Sequence, residues 1–320
     1  MTAAAARPLS PLADEVREGL SRRQKELSPT LFYDRRGSEL FEEITRLPEY
    51  YLTRTERALL ATRMPPVIAR LAPRSLVELG AGSAAKTRLL LEAMRAGGET
   101  VTYVPLDVSA EFLRETASAL GIELPGLRVA PVVADIRVGL GLPRAVPRPA
   151  LFAFLGSTIG NFTDDAAIAL LRHVRGAMCP GDRFVLGVDL RKDVCVIEAA
   201  YNDAAGVTAE FNRNVLRVLN RELGADFDVR DFAHRAPYNR AAHRIEMHLV
   251  ARRALEVHIP HVARVAFRAG ESIRTEISCK YDRASVEAMC HAADLALEAW
   301  IANDEPAYAL AIAAPGPGRR

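Results

Sequence analysis

Apolar and polar positions along the 320 residues fall into three regimes. Up to residue 73 the apolar residues recur mainly at helical spacing. Ser10-Pro11 reads as an N-cap followed by proline at the first helical position, and Leu12, Val16 and Leu20 follow on one face. A polar and aromatic segment at 31–37 leads to a short predicted helix at 39–44 and an extended aromatic stretch at 47–51. Thr53-Arg54-Thr55-Glu56 has the form of a capping box. It predicts a helix to about residue 63, which Pro65-Pro66 breaks, and a second short helix ending at Ala72-Pro73. From 75 to 189 apolar runs alternate with amphipathic stretches. Strands are predicted at 76–79, 101–106, 129–133, 150–155 and 183–188, with helices near 86–95, 110–120 and 164–178. Such alternation builds a parallel sheet covered by helices on both faces. Beyond 189, helices are predicted at 193–201 and 208–223, the second closed by Gly224. Period-two alternation from 244 to 278 predicts an antiparallel sheet, hence a second domain. A helix at 285–295 and apolar strands at 299–301 and 307–313 then complete the first sheet.

Ligands of an open parallel sheet bind beyond the carboxyl ends of its strands. The residues after the predicted strands are Gly80 and Gly82, Asp107, Asp135, the block Gly156-Ser157-Thr158-Ile159-Gly160-Asn161, and Asp189. The stretch Val77-Glu78-Leu79-Gly80-Ala81-Gly82 makes a strand and a Gly-x-Gly turn that open into a helix, a nucleotide-binding signal that is weak alone. A dinucleotide fingerprint wants a third glycine, and Ala85 stands there instead, which disfavours a dehydrogenase.

Charge and composition narrow the partners. Lys and Arg number 42 against 40 Asp and Glu, leaving +2, so there is no electrostatic case for nucleic acid or an anionic membrane. No apolar run approaches the roughly 20 residues of a membrane span. Residues 1–8 have too little apolar length for a signal peptide and, like 315–320, are expected to be a disordered tail. Cys179, Cys195, Cys279 and Cys290 show no metal-like spacing and read as neutral thiols of a reducing cytoplasm. The seven histidines form no HxxxH or HExxH pattern, so no metal is expected.

Glu78-Leu79-Gly80-Ala81-Gly82 resembles motif I of S-adenosylmethionine-dependent methyltransferases. The resemblance implies that Asp107 takes the ribose hydroxyls. It places Asp135 near adenine with Ile136 as an apolar contact, and makes Gly80, Gly82 and Lys86 further cofactor contacts. Either aspartate also fits a helix cap or turn residue, a reading that weakens when both are taken together with Gly80 and Gly82.

Tyr33-Asp34-Arg35-Arg36-Gly37-Ser38, Ile44 to Tyr51, Gly156 to Asn161, Ala204 to Thr208, Phe211-Asn212-Arg213-Asn214 and Thr275-Glu276-Ile277-Ser278-Cys279-Lys280 together resemble the histidine-specific methyltransferase family. That family forms hercynine, the trimethyl betaine of histidine, on the way to ergothioneine. The match runs from about residue 31 to the C-terminus. It implies that Asn161 and Tyr201 hold the carboxylate and amine end of L-histidine. Tyr33 would stand near the reacting amine and, with Asn161 and solvent, position it and manage its proton. Tyr50, Glu276 and Ser278 would surround the imidazole, with Phe211 and Met247 as pocket walls. Read from the residues, Glu276 and Ser278 are two apart in a predicted strand and share a face. A carboxylate beside a hydroxyl can address both ring nitrogens of an imidazole, whereas an indole leaves the pair half used. The pair also fits the solvent face of an edge strand. Asn161 also fits a cap for the helix near 164, Tyr201 a core residue spaced from Ile197, and Met247 a core face.

The expected fold is α/β: a seven-stranded doubly wound, Rossmann-like methyltransferase sheet with an inserted α+β substrate-binding domain. The first domain would take 57–191 plus 281–320, the second 8–56 plus 192–280. The expected protein is a cytoplasmic monomer that uses S-adenosylmethionine on L-histidine, with no nucleic-acid or membrane partner. The rivals are the same chemistry on another amino acid such as tryptophan, and a non-catalytic nucleotide-binding module.

Overall fold

The computed structural model describes residues 10–82, 84–96, 98 and 100–317, apart from the Phe112 side chain. The tail expected at 1–8 lies outside them. At the other end Pro315 closes a strand and the Gly316 N–H donates to the Asp294 carbonyl at 2.8 Å, so the chain is held further than the expected tail at 315–320 allows. The described residues form two compact units. One holds those up to Tyr51 with Asp193–Ser278, the other Leu52–Lys192 with Cys279 onward. The first junction falls at 51/52 rather than 56/57, because the helix Tyr51–Leu71 begins there.

In the larger unit the strands lie in the order Leu295–Asn303, Tyr308–Pro315, Arg183–Asp189, Ala150–Phe154, Ser75–Leu79, Thr102–Asp107 and Arg128–Val129, with Val132–Val133 also paired to Thr102–Asp107. The pairs among the strands from 75 to 189 are parallel, and the C-terminal hairpin adds antiparallel. This is the expected sheet, with two differences. The edge strand expected at 299–301 runs Leu295–Asn303, after a helix that ends at Ala292. The strand predicted at 129–133 is split around Ala130-Pro131, giving eight strands in seven positions. Proline has no N–H to give to the ladder. Ser75–Leu79 and Ala150–Phe154 are buried at every position, as the inner strands of a sheet covered on both faces must be.

The strand Ser75–Leu79 carries a buried carboxyl. Glu78 accepts from Thr87 Oγ1 at 2.5 Å and from the Tyr103 hydroxyl, joining two strands and the helix Thr87–Arg95. Burial pushes its pKa from the ordinary 4.5 to about 7.

The helix Tyr51–Leu71 departs from expectation: it runs unbroken through Pro65 and Pro66, and Thr53 lies inside it rather than at its cap. Leu52, Glu56, Leu60, Met64 and Ile68 are all buried at spacing four, which holds one continuous face inward. The prolines are on the exposed face, as are Ala61 and Thr62, whose carbonyls lose their partners and can turn to water.

In the smaller unit a sheet runs Lys25–Glu26, Ser272–Cys279, Arg244–Ala251 and Phe232–Arg235, with Tyr238–Asn239 also on Arg244–Ala251. The strands Leu255–Ile259 and Ala263–Phe267, expected in the same sheet, form a separate antiparallel hairpin. Lys25–Glu26 joins the main sheet in parallel. Alternation reports which face is buried, not which strand is the neighbour. The helix Arg35–Ile44 packs on Val207–Leu223. It starts earlier than predicted because Asp34 caps it, accepting the Gly37 N–H at 2.8 Å. A Cβ on Gly37 would overlap the Phe32 carbonyl oxygen.

Glu78 makes stability pH-dependent. Its folded pKa lies above the unfolded value, so folding takes up a proton and stability falls as pH rises from about 4.5 to about 7. The upper bound of that loss is ~3 kcal/mol. Glu78→Gln keeps hydrogen bonds to Thr87 and Tyr103 but cannot ionise. Its urea-unfolding free energy should change less over this range than that of the wild type; parallel curves would refute this.

Candidate active site

In the sheet unit the strand Ser75–Leu79 ends on Gly80 (φ +64°), and Gly82 follows at φ +49°. Glycine reaches this left-handed region without strain. Gly80 and Ala81 both donate to the Leu106 carbonyl, at 2.8 and 3.1 Å, and Gly82 donates to Asp107 Oδ2 at 3.4 Å. The amides of the turn are thus held by the end of the next strand instead of being turned toward a phosphate. That suits a cofactor without phosphates and weighs against a dinucleotide. A Cβ on Gly82 would meet nothing within 4 Å, so the turn borders open space. Asp107 Oδ1 also accepts the Ser109 N–H at 3.1 Å, a turn contact. A carboxylate offers about four acceptor positions, so Asp107 keeps capacity for hydroxyl donors.

Asp135 is held differently. It accepts the Arg137 N–H at 2.9 Å, and the guanidinium closes on both oxygens, Nε at 2.9 Å and Nη2 at 2.7 Å. Arg137 holds its carboxyl below the usual carboxylate range. Ile136 is half-buried, and its carbonyl takes a 3.3 Å bond from His173 Nδ1. Asp189, also at a strand end, is fully buried and pairs with Lys280 at 2.9 Å and with Lys192. Burial pushes the Lys192 amine down to about 8, against the pull of Asp189.

Lys86 precedes the helix Thr87–Arg95 and pairs with Glu56. Glu56 has no exposed surface. It accepts the Gly156 N–H on both oxygens, at 2.8 and 2.9 Å, and the Tyr308 hydroxyl at 2.7 Å. The capping-box reading therefore misplaced Glu56: it belongs to the inner stripe of its helix. A lone charge at the second position of Leu52, Glu56, Leu60, Met64, Ile68 was the available signal. Asn161 ends the 3₁₀ turn Thr158–Asn161, and the cap of the next helix is Thr163, so Asn161 is not that cap.

The other unit gathers an aromatic and polar set. Phe211 stacks on Phe32, centroids 4.4 Å apart, and meets Tyr33 edge-on at 6.0 Å. Phe41 lies between Tyr33 and Tyr50, and Tyr50 meets Tyr201 edge-on at 6.2 Å. The hydroxyls of Tyr201 and Ser278 are hydrogen-bonded at 2.8 Å, both residues buried. Tyr33 is half exposed, at 51%. Glu276 is half-buried on the strand Ser272–Cys279 and in phase with Ser278. Met247 is buried, and its carbonyl accepts from Thr275 Oγ1 at 3.2 Å.

What steadies this set is a buried polar frame that sequence reasoning did not single out. Asn212 donates to His234 Nδ1 at 2.8 Å and to the His248 carbonyl at 3.1 Å, and accepts from Thr275 at 2.6 Å. His234 must then carry its proton on Nε2, which donates to the Tyr201 carbonyl at 2.9 Å. Burial lowers the His234 pKa, keeping it neutral. Asp34, besides capping its helix, accepts from Asn214 at 2.7 Å and Arg221 at 2.8 Å. Burial acts to raise its pKa, but these donors and the Gly37 N–H together hold it below the usual value. The Tyr33 and Phe211 blocks of the sequence are thus one interlocked piece. Among the described residues no group of three or more His, Cys, Asp or Glu could hold a metal ion, and none of the four cysteines is in a disulfide.

Residues 12–315 match the model of a family described as histidine-specific methyltransferase, SAM-dependent. The chain is 45% identical over 303 residues to a histidine N-alpha-methyltransferase of Mycolicibacterium smegmatis, covering 94% of each chain. It is equally 45% identical to one of Mycobacterium tuberculosis, covering 95% of this chain and 94% of that one. Among solved structures, an S-adenosylmethionine-dependent methyltransferase from Clostridium acetobutylicum superposes with a TM-score of 0.50 at 12% identity, over 87% of this chain and 98% of that one, a likeness of fold.

Asp34→Ala should remove a helix cap and leave the buried Asn214 amide short of an acceptor. The expected loss is roughly 2–4 kcal/mol of unfolding free energy. A denaturation midpoint equal to that of the wild type would show that Asp34 does not hold the Tyr33 segment.

Proposed function

Because the chain belongs to the histidine-specific, S-adenosylmethionine-dependent methyltransferase family, we propose that it methylates the α-amine of L-histidine three times to give hercynine, on the route to ergothioneine. The observation that ties this reading to particular residues is the buried Tyr201–Ser278 hydrogen bond beside Glu276. In this reading Glu276 accepts one imidazole N–H. Ser278, hydrogen-bonded to the Tyr201 hydroxyl, donates to or accepts from the other ring nitrogen, so the pair is oriented before substrate arrives. Tyr50, Phe211 and Met247 wall the ring, and Tyr201 and Asn161 take the carboxylate and amine end.

When bound, S-adenosylmethionine supplies a sulfonium methyl that is already electrophilic. Gly80, Gly82, Lys86, Asp107, Asp135 and Ile136 hold it in this reading, Asp107 through charge-assisted bonds to ribose hydroxyls. The residues fit: the glycine turn borders open space, and Asp107 retains acceptor capacity. The protein's own task is to present a neutral amine in line and to keep water out. Tyr33 and Asn161 position that amine, and Tyr33 with solvent carries away the proton it must lose before each transfer. The face of Tyr33 also tolerates the cation that builds up. The proposal includes a cytoplasmic monomer. No described helix is long and apolar enough to cross a membrane.

Mass spectrometry of enzyme, S-adenosylmethionine and histidine should show products with one, two and three added methyls, and tryptophan in parallel should give none. Methylation of tryptophan in place of histidine would overturn the choice of acceptor. Glu276→Ala should weaken histidine in calorimetry by roughly ten- to hundredfold with cofactor affinity intact. Unchanged histidine binding would remove Glu276 from the imidazole site. Asp107→Ala should instead lower cofactor affinity by a similar factor, and equal affinity would end its assignment.

A further inference from the structure

Glu56 is harder to explain as a stabilising residue than as a functional one. Taking a carboxylate fully out of water costs several kcal/mol, and an apolar residue of similar volume commonly does as well or better for stability. Its neighbours on the same stripe, Leu52, Leu60, Met64 and Ile68, are apolar. The strand Arg183–Asp189 also gives way to it. A Cβ on Gly187 would overlap Glu56 Oε1, so a buried strand position carries no side chain and the carboxylate fills the space. The same pattern recurs at Gly156, where a Cβ would come within 3.1 Å of the Lys86 ammonium.

Both carboxylate oxygens are used. Oε1 takes the Tyr308 hydroxyl and the Gly156 N–H, while Oε2 takes Gly156 and Lys86. Tyr308 and Gly156 belong to the sheet and the end of its fourth strand, so the carboxylate is fixed on two sides. The third side is Lys86, whose side chain is 22% exposed while that of Glu56 is fully buried. An ammonium has three donors. Lys86 therefore has its charge anchored inside by Glu56, stands beside Gly156 just past the end of a parallel strand, where ligands of such sheets bind, and keeps part of its side chain exposed.

We propose that Glu56 is a positioning residue for the cofactor. It holds Lys86 so that the remaining ammonium donors meet the carboxylate of the methionine portion of S-adenosylmethionine. The inference rests on the cofactor reading above. The carboxylate is the one anionic group of that cofactor, and a cation whose orientation is set in advance loses less freedom on binding it. Glu56 acts through Lys86 and touches no reacting atom.

The test compares two ligands in calorimetry: S-adenosylhomocysteine, which has the amino-acid portion, and methylthioadenosine, which lacks it. Glu56→Gln keeps the volume and a hydrogen bond to Gly156 or Tyr308 but loses the charge. It should weaken S-adenosylhomocysteine by about tenfold and leave methylthioadenosine within about twofold. Lys86→Met should behave alike, and the double variant should be no worse than Lys86→Met alone. Tyr308→Phe, which removes one anchor of Glu56 without touching Lys86, should give a smaller loss with the same selectivity and serves if Glu56→Gln does not fold. Equal weakening of both ligands, or none, would reduce Glu56 to a structural residue and overturn the proposal. If the wild type binds neither ligand, the cofactor reading itself falls. If Lys86→Met alone is silent, the assignment of Lys86 falls and takes this proposal with it.

Discussion

A carboxylate with no exposed surface must find its counter-charge and its donors in the protein, and around Glu56 that requirement organises much of the sheet unit. It brings the start of the Tyr51–Leu71 helix, the loop after the Ala150–Phe154 strand, the C-terminal hairpin and the residue ahead of the Thr87–Arg95 helix to one point. It also explains why a strand that is otherwise tightly packed contains Gly187. The same rule governs the other charges of this unit. Asp189 has Lys280 and Lys192, Asp182 has Arg148 and the Ala150 and Cys179 amides, and Glu78 has two hydroxyls and a raised pKa. Without such partners the desolvation of each charge would outweigh the packing around it.

The smaller unit solves the same problem with neutral groups. Asn212, His234 and Thr275 bond one another and the His248 and Tyr201 carbonyls, and one proton position on His234 follows from that. The chain of bonds ends on Tyr201, whose hydroxyl meets Ser278. In the proposed reading these two groups face the substrate, and a hydrogen-bonded buried network holds such groups in place. The aromatic series from Phe32 through Phe211, Tyr33 and Phe41 to Tyr50 adds a rigid apolar wall beside it.

Several residues of the sequence motifs have clear structural partners. Asp34, Arg35 and Gly37 mark the family, yet Asp34 caps a helix and Gly37 is there because the Phe32 carbonyl leaves no room for a side chain. Asp189, at the end of a strand, is paired with two lysines. Asp135 carries the turn contacts of Arg137 in addition to the cofactor role proposed for it. Asn161, in contrast, is freed from the plain alternative, since Thr163 caps the following helix.

The sequence by itself determined the parallel sheet, its C-terminal hairpin, the glycine turn and the face of each strand that goes inward. These follow from local periodicity and from glycine's backbone freedom, which residues within a few positions of one another express. Motif blocks also carried the family, and with it the donor and acceptor of the reaction. Tertiary structure alone decided what depends on residues far apart in the chain. It split the third parallel strand at Pro131, detached the 255–267 hairpin from its neighbours, and carried the Tyr51–Leu71 helix through two prolines by burying one side of it. It also turned Glu56 from a local cap into the partner of Lys86, Gly156 and Tyr308, which lie 30, 100 and 252 residues away. A capping box is a statement about four neighbouring residues, whereas the cost of a buried charge is settled only by everything that surrounds it.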